Sequence, residues 1–91
     1  MHIHGIVMNA TLEAAPAGGD AIDMVLRVQG VGAGQPRRIA IPYALLLRDD
    51  SLEPESIRGH AFQAEVEQEE GGRWVVSEIA FAGKRVLRED S

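Results

Sequence analysis

Apolar and polar positions alternate most strictly between residues 21 and 29. Aliphatic side chains occupy every second position there, and the intervening positions are mostly polar. One face carries Ile22, Met24, Leu26 and Val28, and the other carries Asp23, Val25, Arg27 and Gln29. Because successive side chains of a β-strand point to opposite faces, this pattern predicts a strand with one face toward water.

Four other segments are also predicted to be strands. Residues 3–12 are rich in aliphatic side chains without a helical stripe, and a loop at residues 16–20 follows them. Residues 37–41 form the third strand after a glycine-rich connection. In the fourth, residues 62–67, apolar and polar side chains alternate again, and the fifth covers residues 73–81 after a glycine turn.

The fifth predicted strand is apolar on both faces. Val75, Ile79 and Phe81 lie on one face, and Trp74, Val76 and Ala80 lie on the other. A second face this apolar must be covered. The cover is either the tail at residues 83–87, as an extra short strand, or a partner molecule.

One short helix is predicted between the third and fourth strands. Pro42 suits its first turn, and residues 43–48 are good enough helix formers to continue it. Residues 49–51 either end this helix or cap a further turn that begins near residues 52–54. The resulting order is three strands, a helix and two strands. It predicts an all-β fold with one short helix, namely a five-stranded Greek-key barrel of the OB type in which the helix lies between strands three and four. A β-grasp or split sheet with one helix is the structural alternative.

Length, composition and charge limit the interpretation further. Ninety-one residues make a single OB-like domain, 1–91. There is no cysteine, no apolar run long enough to span a bilayer, and no secretory pattern in the first five residues, so we expect a cytoplasmic protein that does not enter membranes. The net charge of −5 argues against indiscriminate binding to nucleic acid.

Over nearly its whole length, the chain resembles the OB-fold proteins of the bacterial single-stranded DNA-binding and primosomal replication type. The resemblance rests on the opening strand at residues 1–12, on residues 21–29, on residues 57–66, and on the glycine-turned strand that follows and passes through residues 77–79. It implies a barrel with one sheet face that binds single-stranded DNA or RNA.

Arginine side chains would supply such a face. Arg27 on the second strand and Arg37 and Arg38 on the third place three guanidinium groups on neighbouring strands, where they can pair with phosphate or stack on a base. Trp74 is the best candidate for base stacking. The complete set of predicted nucleic-acid-binding residues is Arg27, Arg37, Arg38, Arg73, Trp74, Lys84 and Arg85. The acidic hairpin at residues 69–70 would repel a phosphate backbone.

A protein-interaction or assembly module is the alternative function. It would use the apolar outer face of strand five, with Trp74, Val76 and Val25, to form a homodimer or bind a protein partner. No nucleophile elbow, P-loop or dinucleotide motif occurs, so we expect neither an enzyme nor a cofactor.

Three histidines are candidate metal ligands. His2 and His4 would share one face of a strand, and with His60 or an acid they could hold a divalent ion. An ordinary pair at the start of a strand is the preferred interpretation, so no metal site is predicted.

Overall fold

The computed structural model describes residues 1–14, 21–30, 34–47, 53–82 and 87–88. Six strands and two short helices lie in this part of the chain. In chain order they are β1 (His2–Ala14), β2 (Ile22–Gly30), β3 (Arg38–Ile41), α1 (Tyr43–Leu46), α2 (Pro54–Ile57), β4 (Ala61–Gln68), β5 (Trp74–Phe81) and β6 (Leu87–Arg88). The prediction of an all-β protein is confirmed. Neither helix has the length or the apolar character needed to cross a membrane.

The first five strands form one closed sheet. The hydrogen-bonded order is β3-β2-β1-β4-β5-β6, and β3 also pairs with β5. That pairing is parallel and brings Ala40 opposite Val75, whereas every other strand pair is antiparallel. Closure removes the free edges that β3 and the start of β5 would otherwise expose, and it places the beginning of β5 beside β3.

The long strand β1 is shared between β2 and β4, and a glycine permits this close packing. Gly5 lies opposite Gly30 on β2 and opposite Phe62 on β4. A Cβ atom at Gly5 would lie 1.9 Å from the backbone oxygen of Gln29. The position therefore requires glycine because the neighbouring backbone occupies the space of a side chain.

The core lies inside the closed sheet and draws on all five strands and both helices. Its apolar side chains are Ile3, Val7, Met24, Leu26, Val28, Ile39, Ile41, Leu45, Ile57, Phe62, Ala64, Val66, Val76, Ile79 and Phe81. The alternation predicted for β4 is confirmed, as is that of β2 from Met24 to Val28. Ile22 differs, because it is largely exposed near the end of the β1–β2 hairpin.

Two short helices connect β3 to β4: α1 is the predicted helix, and α2 lies where the alternative of a further turn near residues 52–54 places it. The first, α1, begins directly after Pro42, close to the predicted position. The second, α2, has Pro54 in its first turn, and the backbone N–H of Glu53 donates to Ser56 Oγ at 3.3 Å. Proline at this position and a serine that caps the turn stabilise a short helix that apolar periodicity does not reveal. Ile57 anchors α2 in the core.

A β-bulge changes the faces of β5. Glu65 pairs with Glu78, and the next residue of β4, Val66, pairs with Val76, which leaves Ser77 as the additional residue on β5. Because a bulge shifts the alternation by one position, Val76 joins Ile79 in the core. The prediction that Val76 lies on the outer face is therefore wrong, since its side chain is only 1% exposed.

A short strand, β6, forms near the end of the chain, and the extra strand is one of the two predicted alternatives for covering strand five. Leu87 pairs with Ile79 and Arg88 with Glu78, so β6 extends the sheet beside β5. The rest of the predicted covering segment, residues 83–86, lies outside the described residues.

Candidate nucleic-acid interface

Two adjoining depressions lie on the outer surface of β2 and β3. The first has a volume of about 480 Å³ and the second about 390 Å³. They share four lining residues, which are Glu13, Val25, Arg37 and Arg38. Ala40, Arg73 and Trp74 also line the first depression, and Thr11 and Arg27 also line the second. Five of the seven residues predicted to bind nucleic acid therefore surround one continuous surface.

The arginines meet here because of strand register. Arg27 on β2 lies directly opposite Arg38 on β3, and Arg37 comes immediately before β3 begins. Residues paired in this way have Cβ atoms about 4.5–5.5 Å apart. All three side chains are exposed. In the described part of the chain, no carboxylate lies within ion-pair distance of Arg27 or Arg37, so both guanidinium groups face solvent as candidate anion ligands.

Arg38 has a partner. Its Nη2 atom donates to Glu13 Oε1 at 3.0 Å and to Glu13 Oε2 at 2.9 Å. The hydroxyl of Thr11 donates to the same Oε2 atom at 2.9 Å. The wall shared by the two depressions therefore contains an ion pair held in a defined orientation. Nothing in the hydrophobic pattern identifies Glu13 as part of the surface, because it joins the arginines only through the pairing of β1 with β2.

Arg73 lines the first depression, but its guanidinium group is engaged. Its Nη2 atom donates to Asp23 Oδ2, and its Nη1 atom lies 3.7 Å from Glu69 Oε1. Asp23 is 4% exposed and is the single buried charged residue in the described part of the chain. The backbone N–H of Tyr43 donates to Asp23 Oδ1 at 3.1 Å. Arg73 therefore neutralises a buried carboxylate, which leaves it less free than Arg27 or Arg37 to bind an anion.

Asp23 corrects one expectation from the sequence. It lies on the face of β2 opposite the core, as the alternation predicts, yet it is buried and not in water. The cause is its contact with Arg73, which directly precedes β5, and with the backbone N–H of Tyr43 at the start of α1.

Trp74 combines two environments. It is partly buried and packs against the core, and it also lines the first depression beside Val25 and Ala40. It is the only tryptophan of the chain. A tryptophan held by core packing at the edge of an arginine-lined depression offers a base a fixed aromatic surface. Phe62 and Phe81, in contrast, lie in the core as predicted.

The remaining candidates do not join this surface within the described residues. Lys84 and Arg85 lie outside the part that the structure describes. His2 Nδ1 lies 2.8 Å from Glu65 Oε1, whereas His60 Nδ1 lies 3.2 Å from the carbonyl oxygen of Ala82. Across the described ranges, no three histidine or acidic side chains are grouped as metal ligands.

No protein-family model, curated protein or solved structure matches the chain.

Proposed function

We propose that the chain is a small OB-type Greek-key barrel that binds single-stranded nucleic acid through the outer face of β2 and β3. The closed order of β1, β2, β3, β5 and β4, with a parallel contact between β3 and β5, supports the architecture. Both short helices lie between β3 and β4, the position expected of the helical connection in this fold.

The convergence of arginine and tryptophan on one surface is the observation that carries the proposal. Arg27 lies on β2, Arg38 lies on the adjacent strand β3, and Arg37 directly precedes β3. Trp74 lies on β5, about 40 residues later in the chain. All four side chains line the two adjoining depressions. Single-strand binding requires these two elements together, namely cations that follow the phosphate backbone and an aromatic face on which a base stacks.

Each element has a distinct role. Arg27 and Arg37 contact phosphate oxygens, and Trp74 stacks on one unpaired base over the apolar floor formed by Val25 and Ala40. A double helix buries its base faces in its own stack, so it cannot use Trp74 in this way. The ligand class is therefore single-stranded DNA or RNA.

The charge balance of the chain limits the strength of binding. The net charge is −5, and Glu69 lies in the hairpin next to the first depression. A local group of arginines on an acidic molecule attracts phosphate at short range and repels it elsewhere. We expect moderate affinity with a clear dependence on salt.

Fluorescence anisotropy of a labelled mixed-sequence oligonucleotide tests the proposal. At low salt and micromolar protein, anisotropy should rise, and added salt should reverse the rise. Arg37→Glu should abolish most binding. Arg58→Glu is the matched control. Arg58 is exposed and lines neither depression, and its substitution changes the net charge of the protein by the same amount as Arg37→Glu. No anisotropy change with the unmodified protein, or equal losses in both variants, would contradict the proposal.

Protein docking at the same surface is the second candidate. Trp74 and Val25 are partly buried and give this surface an apolar centre, although Val76 belongs to the core and cannot contribute. This candidate predicts a homodimer or a copurifying partner that is lost on Trp74→Ala. Elution as a monomer at every concentration, without a partner, would exclude it.

A further inference from the structure

Glu13 lies where the two depressions meet. It lines both of them, and both oxygens of its carboxylate accept from Arg38 Nη2. Its charge and planar pair of oxygens resemble those of a phosphate group, which is the ligand proposed for this surface. Glu13 therefore occupies part of the Arg38 guanidinium group, which a phosphate of the nucleic acid would use.

The particular nitrogen that Glu13 contacts is important. An arginine forms bidentate hydrogen bonds with a phosphate either through Nη1 and Nη2 or through Nε and Nη2, so both geometries need Nη2. The two oxygens of Glu13 lie 3.0 and 2.9 Å from that nitrogen and share one of its two N–H groups, because the oxygens of one carboxylate are too close together to face both. Glu13 therefore blocks one of the two geometries in which Arg38 can bind a phosphate at two points, and its negative charge repels a phosphate that approaches through the other.

Two neighbours favour this occupied state. Thr11 donates to Glu13 Oε2 at 2.9 Å and thereby orients the carboxylate. Arg27 lies opposite Arg38 across the strand pair, and like charges in that relationship repel each other. A carboxylate paired with Arg38 reduces the repulsion in the absence of ligand.

We propose that Glu13 is an internal competitor that holds Arg38 until phosphate displaces it, and that it thereby lowers the affinity of this surface for single strands. The inference rests on the proposed function and concerns the regulation of the same surface. The pair is exposed, so the effect is modest, and removing the competitor should strengthen binding about twofold to fivefold.

Glu13→Gln tests the proposal, with Glu55→Gln as the control. Both substitutions remove one negative charge, and Glu55 is exposed on α2 and lines neither depression. Binding of a labelled oligonucleotide of about 16 nucleotides, the upper site size of one OB fold, is measured over a range of salt concentrations. Glu13→Gln should bind more tightly than Glu55→Gln and should steepen the salt dependence by up to about 0.7 in log–log slope. Equal affinities of the two variants would overturn the proposal.

Repeating both substitutions in an Arg38→Met background identifies the mechanism. Arg38→Met removes the guanidinium group that Glu13 holds, so the increase in oligonucleotide affinity caused by Glu13→Gln should fall to that caused by Glu55→Gln. An undiminished gain would show that Glu13 acts by general charge and would overturn the proposal.

The two hypotheses fail differently in this experiment. If the unmodified protein binds but Glu13→Gln gives no specific gain, the internal competitor is excluded and the nucleic-acid interface remains. If neither the unmodified protein nor Glu13→Gln binds at low salt, both are excluded. Binding by Glu13→Gln alone would support both.

Discussion

Arg73 donates a hydrogen bond to the buried carboxylate of Asp23, 50 positions earlier in the chain. The pair joins the beginning of β5 to β2, next to the parallel contact that closes the sheet. The backbone N–H of Tyr43 donates to the other oxygen of Asp23, so α1 takes part in the same contact. This pair therefore stabilises the region that positions Trp74.

The two partners should differ in their effect on stability. Arg73→Met leaves Asp23 buried with the Tyr43 N–H as its one remaining partner among the described residues, and we expect a loss of about 3 kcal/mol in the free energy of unfolding. Asp23→Asn retains an acceptor for Tyr43, and Arg73 is exposed enough to reach water, so the expected loss is about 1 kcal/mol. Urea unfolding measures both. A larger loss for Asp23→Asn would contradict this account.

Local patterns predict the strands well and the long-range contacts poorly. The alternation in β4, and in β2 from Met24 to Val28, identifies the core side chains correctly because a strand with one face toward water shows its period directly. Asp23 looks like a solvent-facing residue in the same pattern, since its burial depends on Arg73, which lies 50 positions later in the chain. Val76 is assigned to the wrong face because a bulge at Ser77 changes the phase without any glycine or proline to mark it.

The proposed binding surface is also predicted only in part. The sequence predicts Arg27, Arg37 and Arg38 as neighbours because adjacent strands bring them together. Glu13 is absent from that prediction, because its contact with Arg38 depends on the register along β1, which contains a bulge between Val7 and Asn9. Composition carries no information about that register.

Gly5 provides a test of strand packing. Gly5→Ala would place a Cβ atom 1.9 Å from the backbone oxygen of Gln29, so β1 and β2 must separate. We expect a loss of about 2 kcal/mol or more in the free energy of unfolding, as for other overpacked sites. Gly71→Ala is the control, because a Cβ there meets no atom within 4 Å. Equal unfolding midpoints of the two variants would show that β1 does not require glycine.

Trp74 should contribute to both stability and affinity, and two substitutions separate these contributions. Trp74→Ala removes core packing and the stacking surface, so we expect a lower unfolding midpoint and about tenfold weaker oligonucleotide binding. Trp74→Phe keeps an aromatic face and should recover much of the affinity. Anisotropy and urea unfolding on the same samples give both quantities. If Trp74→Phe binds as weakly as Trp74→Ala, stacking is not the role of this residue.

Arg27 should act on affinity alone. Arg27→Gln removes one phosphate contact, so the log–log salt dependence of binding should become shallower by about 0.7. Its effect on stability should be within about 0.5 kcal/mol, because the side chain is exposed and faces the like charge of Arg38. An unchanged salt slope in the anisotropy titration would remove Arg27 from the interface.

The intrinsic fluorescence of Trp74 tests the central claim most directly. Because it is the only tryptophan of the chain, its emission reports on this one surface without a label. Titration with a single-stranded oligonucleotide at low salt should quench the emission, salt should restore it, and an equal concentration of the same sequence as a duplex should quench it far less. Emission that is unchanged by the single strand, or quenched equally by the duplex, would contradict a single-strand interface at Trp74.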